Sequence, residues 1–165
     1  MIMTIEEFRS YIATEEPDAV IEARLGAIEQ LVRSYTHNNF QKRNIRAVAS
    51  IIGGTLIVDP AVFQEGDTVE ISGSLYNEGV YVFPVTGLTD EDSVTVTKVV
   101  YPADVKLGVI NMIKWDLENR DKVGVQSETI SRHSVTYFNL DGDNSVVGFP
   151  KSLIGFLEPY RKARF

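Results

Sequence analysis

Between Pro102 and Gly124, apolar residues recur at steps of three and four, which is the spacing that places side chains on one face of an α-helix. The residues on this face are Val105, Val109, Met112, Ile113 and Leu117. Pro102 suits the first helical position, where no backbone N–H is needed, and Gly124 can adopt the left-handed conformation that ends a helix. The pattern therefore predicts a central core helix against which the rest of the chain packs.

Three further helices are predicted near the two ends of the chain. Thr4 and Glu7 have the spacing of a capping box, which favours a short helix after Thr4. A second helix is expected to start at the acidic segment 15–18 and to run to about His37. The last helix is expected to follow residues 149–150, where a proline can open it.

The apolar period changes to two between residues 51 and 100. Short alternating segments are separated by turn residues, as at 77–79, where a glycine can supply the positive φ of a tight hairpin loop. Four or five strands with no helix between them are typical of a small antiparallel barrel or sandwich. The predicted fold class is therefore α+β: a bundle of about four helices from residues 1–49 and 102–165, with an inserted β domain at 50–101.

The composition excludes several classes of site. The chain contains no cysteine, so it can form neither a disulfide framework nor a thiolate metal site. No apolar run approaches the ~18 residues that span a bilayer, and the first residues are acidic where a signal peptide is basic. We therefore expect a soluble intracellular protein that does not enter membranes.

The net charge of −7 argues against a protein that grips nucleic acid, because phosphate binding depends on clustered Lys and Arg side chains. The charge is unevenly distributed. Residues 51–101 contain eight acidic residues and one basic residue, Lys98, whereas the last seven residues contain three basic residues and no acidic one. Such a protein can lie close to DNA without binding it.

No residue pattern predicts catalysis, a cofactor or a metal, so we expect a protein that is not an enzyme. The DGDN segment that starts at Asp141 fails the calcium-loop pattern, because the sixth and twelfth positions hold Val146 and Ser152. We interpret it as a polar turn. His37 and His133 are the only histidines, and neither has a metal-ligand spacing or a sequence partner that would orient it for catalysis.

The end of the chain alternates aromatic and cationic side chains. The residues are Tyr160, Arg161, Lys162, Arg164 and Phe165. One interpretation is a frayed, solubilising terminus. The other is a docking segment, since aromatic and Arg side chains are the usual energetic anchors of an interface. The sequence leaves both interpretations open.

Three segments resemble the small head–tail connector proteins, also called adaptor or head-completion proteins, of long-tailed phages and prophages. They are PADVKLGVINMIKWDLENRD, VQSETISRHSVTY and FPKSLIGFLEPYRK. In that family a helix often opened by proline, with a lysine in its first turns, precedes a hairpin with Ser and Glu, here the alternating segment 128–137. A last helix opened by proline ends in Leu-x-x-Tyr-Arg, here Leu157 to Arg161. Many members have a glycine near Ser131 and lack the β segment, so the chain departs from the family there.

The resemblance implies a structural virion protein of the phage neck without enzymatic activity, assembled in the bacterial host cytoplasm. About twelve copies would form a ring between the portal protein and the tail stopper, with an axial channel through which DNA passes without specific binding. The docking segment would contact the portal or the adjacent subunit, and the β domain would lie on the outside or rim of the ring.

A rival hypothesis is a monomeric binding module whose β domain holds a peptide or a carbohydrate, with the helices as scaffold. A hydrolase that uses acidic residues is a weaker alternative, because no paired and oriented carboxylates are evident. The molecular mass in solution, alone and with the portal, distinguishes a ring from a monomeric module.

Overall fold

The computed structural model describes residues 1–119, 127–130, 133–136 and 145–163, and for the two middle ranges it describes the backbone alone. The helices are α1 (Ile5–Tyr11), α2 (Asp18–Thr36), α3 (Ala103–Asn119) and α4 (Lys151–Ile154), and a 3₁₀ helix follows α4 at Gly155–Tyr160. Helices α2 and α3 have 19 and 17 residues, whereas α1 has 7 and α4 has 4.

The strands belong to three antiparallel sheets. They are β1 (Gln41–Ile52), β2 (Thr55–Ile57), β3 (Thr68–Ser72), β4 (Gly79–Val82), β5 (Glu91–Val99), β6 (Ser127–Ile130), β7 (His133–Thr136), β8 (Ser145–Val146) and β9 (Phe149–Pro150). The first five form one sheet in the order β2-β1-β5-β3-β4, and the other four form the pairs β6–β7 and β8–β9. The β6–β7 pair confirms the hairpin predicted within residues 128–137.

The five-stranded sheet curls until its two ends meet. After β4 the chain runs back beside β2, where the N–H of Leu56 donates to the carbonyl oxygen of Val85 at 3.0 Å. Thr55 and Thr86 form an antiparallel bridge at the same place. Strand β2 therefore has a hydrogen-bonding neighbour on each side, β1 on one and residues 85–86 on the other.

Alternating side chains from these strands form a core inside the curl. The register places Ala49 opposite Val94 and Ile71 opposite Val96, so apolar side chains from neighbouring strands meet on the inner face. The buried members of this core are Ala49, Ile51, Leu56, Phe63, Val69, Ile71, Val85, Val94 and Val96. The inner face accounts for the period of two in the sequence.

A second core lies between the helices and the near end of the sheet. Its fully buried side chains include Phe8, Ile21, Leu25, Met112 and Leu157. The same cluster includes Phe40, which precedes β1. It also includes Val99, the last residue of β5, and Tyr101, which follows that strand. The helices therefore pack on the base of the sheet as well as on one another.

The two connections between the helices and the sheet run side by side. The N–H of Val100 donates to the carbonyl oxygen of Phe40 at 3.0 Å, and the rings of Phe40 and Tyr101 lie 4.9 Å apart. The Tyr101 hydroxyl donates to Oε1 of Glu29 on α2 at 2.7 Å. Burial, reinforced by the Glu29 carboxylate, raises the pKa of Tyr101, so the phenol stays protonated and keeps this bond.

Ion pairs connect α2 to β3 and to α3. Nη2 of Arg33 lies 2.7 Å from Oε1 of Glu70 on β3, and both side chains are largely buried. Arg24 contacts Asp116 on α3 at 2.8 Å and Glu16 at 2.9 Å. Because a buried charge without its partner is costly, these pairs favour one orientation of α2 over others.

The predicted fold class, a bundle of about four helices with an inserted β domain, is wrong. The helices are short and separate, and only α2 and α3 are long enough to lie along each other for several turns. Residues 41–49, assigned to the helical part, form most of β1, in which Ile45, Ala47 and Ala49 face the core of the sheet. The chain has a mixed α+β fold in which the largest assembly is a curled antiparallel sheet.

Helix α3 buries most of the face that its spacing predicts. Val105, Val109, Met112 and Ile113 are buried. Leu117 is 37% exposed, in the last turn that the structure describes. The helix starts at Ala103, one residue after Pro102, whose carbonyl oxygen accepts the N–H of Lys106 at 3.1 Å. Gly124, the predicted end, lies outside the described residues.

The predicted helix ends in the N-terminal part are confirmed, and the last helix differs from its prediction. Oγ1 of Thr4 accepts a hydrogen bond from the N–H of Glu7 at 3.1 Å. Helix α2 ends at Thr36 and is capped by His37, which has a φ of 50°. The last helix becomes a 3₁₀ helix that includes Pro159, whose ring would clash with the carbonyl group of residue 155 in an α-helix. The polar turn predicted at Asp141 lies outside the described residues.

Gly108→Ala is expected to destabilise the protein, because an added Cβ would overlap the ring of Phe156 in the 3₁₀ helix. Overpacking of this kind costs about 1–3 kcal/mol. The matched control is Gly26→Ala in α2, where a Cβ meets no atom within 4 Å and helix propensity favours alanine by about 1 kcal/mol. Urea unfolding measures both free energies. Equal stabilisation by the two substitutions would contradict the packing of Phe156 on α3.

Candidate functional site

The 3₁₀ helix that precedes the predicted docking segment is fixed between α2 and α3. Leu157 is fully buried in the helical core. The ring of Phe156 lies against Gly108 of α3, where the missing side chain leaves room for it. The end of the chain therefore leaves the fold from a defined position.

Tyr160, the first residue of the predicted docking segment, is held by its own chain. Its hydroxyl donates to the Asp104 carboxylate, with both oxygens at 2.8 Å, and this bond raises the pKa of Tyr160. Its ring lies 5.8 Å from that of Phe40, and its carbonyl oxygen accepts Nδ2 of Asn38 at 3.3 Å. Tyr160 thus joins the start of α3 to the end of α2.

Arg161 belongs to a small polar cluster on the surface of α2. Its Nη1 lies 3.2 Å from Oε2 of Glu158, and its guanidinium lies 5.0 Å from the centre of the Tyr35 ring. The Tyr35 hydroxyl donates to Oε1 of Glu158 at 2.5 Å. This bond lowers the pKa of Glu158 and raises the pKa of Tyr35, so each group keeps the protonation state that maintains the cluster.

After Arg161 the backbone follows the end of α2. The N–H of Lys162 donates to the carbonyl oxygen of Thr36 at 2.8 Å. The Lys162 side chain is exposed and has no ion-pair partner among the described residues. Arg164 and Phe165 lie outside the described residues. The structure therefore brings Tyr160, Arg161 and the Lys162 backbone together at the end of α2, and it leaves the Lys162 ammonium exposed.

Sequence reasoning missed an exposed apolar surface at the far end of the sheet. The turn residues of 77–79 predict a tight hairpin loop there, whereas β3 ends at Ser72 and the loop begins at residue 73. Leu75 and Tyr76 in that loop are 84% and 70% exposed. Their position next to the turn residues of 77–79 was the available signal. Their exposure depends on hydrogen bonds to distant residues, which the sequence does not show.

The comparison with protein-family models gives no match, and the comparison with curated proteins gives none either. In the part of the chain that the structure describes, no helix is long and apolar enough to cross a membrane. The same residues contain no group of three or more His, Cys, Asp or Glu side chains that could hold a metal ion.

Tyr160→Ala is expected to release the end of the chain from α2, because it removes the ring contact with Phe40 and the hydrogen bond to Asp104. The measurement is hydrogen exchange of the Lys162 amide, which should be several-fold faster. Tyr160→Phe, which keeps the ring, should have a smaller effect. Unchanged exchange in the alanine variant would show that Tyr160 does not anchor this segment.

Tyr35→Phe is expected to raise the pKa of Glu158 toward its ordinary value, because the strongest hydrogen bond to the carboxylate is lost. Since this pKa is lowered in the fold, the cluster is most stable above the ordinary carboxyl pKa. It weakens as the pH falls through the lowered value. An NMR titration of the Glu158 side chain measures the change, and an unaltered titration curve would rule out the bond.

Proposed function

We propose that the chain is a structural connector of a phage neck. In this proposal about twelve copies form a ring beneath the portal protein, join the DNA-filled head to the tail stopper, and leave a channel for DNA. The observation that carries the proposal is that two of the three segments resembling the connector family pack together in this fold. The resemblance therefore refers to one structural unit and not to scattered fragments.

The contacts between these segments extend along α3. At its first turn, Asp104 accepts the hydrogen bond from Tyr160, and one turn later Gly108 accommodates the ring of Phe156. Further along, the ring of Trp115 lies 5.6 Å from that of Phe149. Tyr160 of the Leu-x-x-Tyr-Arg motif thus has a definite partner on α3, and so do Phe156 and Phe149, which precede the motif in the same segment.

The charge supports a channel that does not hold DNA. A net charge of −7 gives an overall repulsion of phosphate groups, whereas a basic wall would bind them and slow their passage. Weak binding suits a channel through which DNA must move.

We assign portal or subunit docking to the end of the chain. Tyr160 and Arg161 hold the segment against α2, and Lys162, Arg164 and Phe165 supply the docking contacts. A segment held at one end loses less conformational freedom on binding than a free terminus does. This division of roles replaces the simpler expectation that all five side chains contact the partner.

A chain that ends at Arg161 should fold normally but bind the portal of the same phage more than about tenfold more weakly, because aromatic and Arg side chains dominate interface energies. Lys114→Ala, which removes an exposed lysine from α3, is the control and should bind normally. Electron microscopy of mixtures with portal tests the ring directly. Full binding by the shortened chain would contradict the docking role, and portal particles without added rings would contradict the connector function.

A further inference from the structure

The loop at residues 73–78, here named the contact loop, carries two adjacent apolar side chains into solvent. Leu75 is 84% exposed and Tyr76 is 70% exposed. The loop follows β3 at the end of the sheet that is farthest from the helices, since the helical connections leave at Phe40 and Tyr101. Exposed apolar side chains that are placed together are typical of a protein–protein contact.

The contact loop is held by a network centred on Glu91. The Glu91 carboxylate accepts hydrogen bonds from the Ser74 hydroxyl, from the N–H of Leu75 at 2.7 Å and from Nδ2 of Asn77 at 2.8 Å. Asn77 also exchanges two hydrogen bonds with the Thr89 backbone, at 2.9 and 2.8 Å. Because these hydrogen bonds already fix the loop, it loses little conformational freedom when it binds a partner. Contacts made by Leu75 and Tyr76 are therefore not offset by a large entropic cost.

A second exposed apolar surface lies on the outer face of β1 and β2, here named the outer strand face. Val48, Ser50 and Ile52 occupy alternating positions of β1 and share this face. Ile57 of β2 lies opposite Ser50 in the register and joins them. Val48 is 68% exposed, Ile52 is 64% exposed and Ile57 is 44% exposed.

Opposite charges lie near the two surfaces. Glu78 belongs to the contact loop, and Asp90 and Asp92 lie between that loop and the β1–β2 turn, where Asp90 accepts the N–H of Gly54 at 2.7 Å. All three are exposed, and none has an ion-pair partner among the described residues. The first half of β1 carries three exposed cations and leads into the outer strand face. None of these cations has an ion-pair partner in the described ranges. They are Lys42, Arg43 and Arg46. The acidic residues at the far end of the sheet in one copy can therefore neutralise the cations on β1 of a second copy.

We propose that the contact loop of one copy packs on the outer strand face of a second copy. The inference deepens the proposed function and rests on it for the number of copies. Because the two surfaces are different parts of the chain, the contact is head-to-tail, and repetition of such a contact closes a ring when the rotation permits. Leu75 and Tyr76 supply the apolar anchors, and the charged residues set the orientation.

Replacing both anchors, as Leu75→Ser with Tyr76→Ser, should weaken self-association more than about tenfold, as expected for anchor residues. Sedimentation velocity over a range of concentrations, with and without portal, measures this loss. Tyr11→Ser removes a residue of α1 that is 52% exposed and lies on neither surface, so it should leave association unchanged. A wild-type chain that stays monomeric under all these conditions would overturn the proposal.

Charge reversal tests the pairing of the two surfaces. A variant with Arg43→Glu and Arg46→Glu, and another with Glu78→Lys and Asp92→Lys, should each remain monomeric because like charges then face each other. Their mixture should associate, because the reversed surface of one variant meets the reversed surface of the other, and the two unreversed surfaces also meet, so opposite charges face each other at both contacts. Circular dichroism of both variants checks folding. Failure of two folded variants to associate on mixing would overturn the proposal.

Cross-linking distinguishes this contact from the ring itself, and the absence of cysteine gives a clean background. Ser50→Cys marks the outer strand face, and Thr89→Cys marks a position beside the contact loop, since the Thr89 backbone bonds to Asn77. The proposal predicts a linked pair when the two chains are mixed and none from either chain alone, whereas pairs of identical cysteines would overturn it. Native assemblies that stop at two linked chains would retain the contact and contradict the ring. Rings on the portal without this link would retain the proposed function and overturn the contact.

Discussion

The pairing of the two connections at Phe40 and Tyr101 is the constraint on which the rest of the structure depends. One connection leads from α2 into β1 and the other from β5 into α3, and a hydrogen bond and an aromatic contact hold them together. An aromatic pair of this kind contributes about 0.5–1.5 kcal/mol beyond the burial of its surface. Because the connections cannot separate, the helices and the sheet share one core at their junction.

The same junction positions the end of the chain. The ring of Tyr160 packs against the ring of Phe40, and the backbone after Tyr160 then follows the last turn of α2. The junction therefore joins three parts of the chain that are distant in sequence: the end of α2, the start of α3 and the last residues. A disturbance of the Phe40–Tyr101 pair would be transmitted to the proposed docking segment, although neither residue belongs to it.

Local signals in the sequence predicted local structure, and distant contacts decided the remainder. The capping box at Thr4 and the apolar spacing of α3 depend on residues within one or two turns, so they were readable. The strand at 41–49 was missed because its outward positions carry charged residues and its inward positions include small alanines, which give a weak alternation. The bond between Tyr160 and Asp104 joins residues 56 positions apart, and no periodicity indicates such a partner.

The pairing of β2 with residues 85–86 limits how copies of this protein can associate. An open strand edge offers unpaired N–H and C=O groups to any other chain, with little regard for its side chains. Here the edge of β2 is already occupied by the same molecule. Neighbouring copies must therefore recognise each other at β2 through side-chain shape and charge, and such recognition is reversible and selective in a way that shared sheet formation is not.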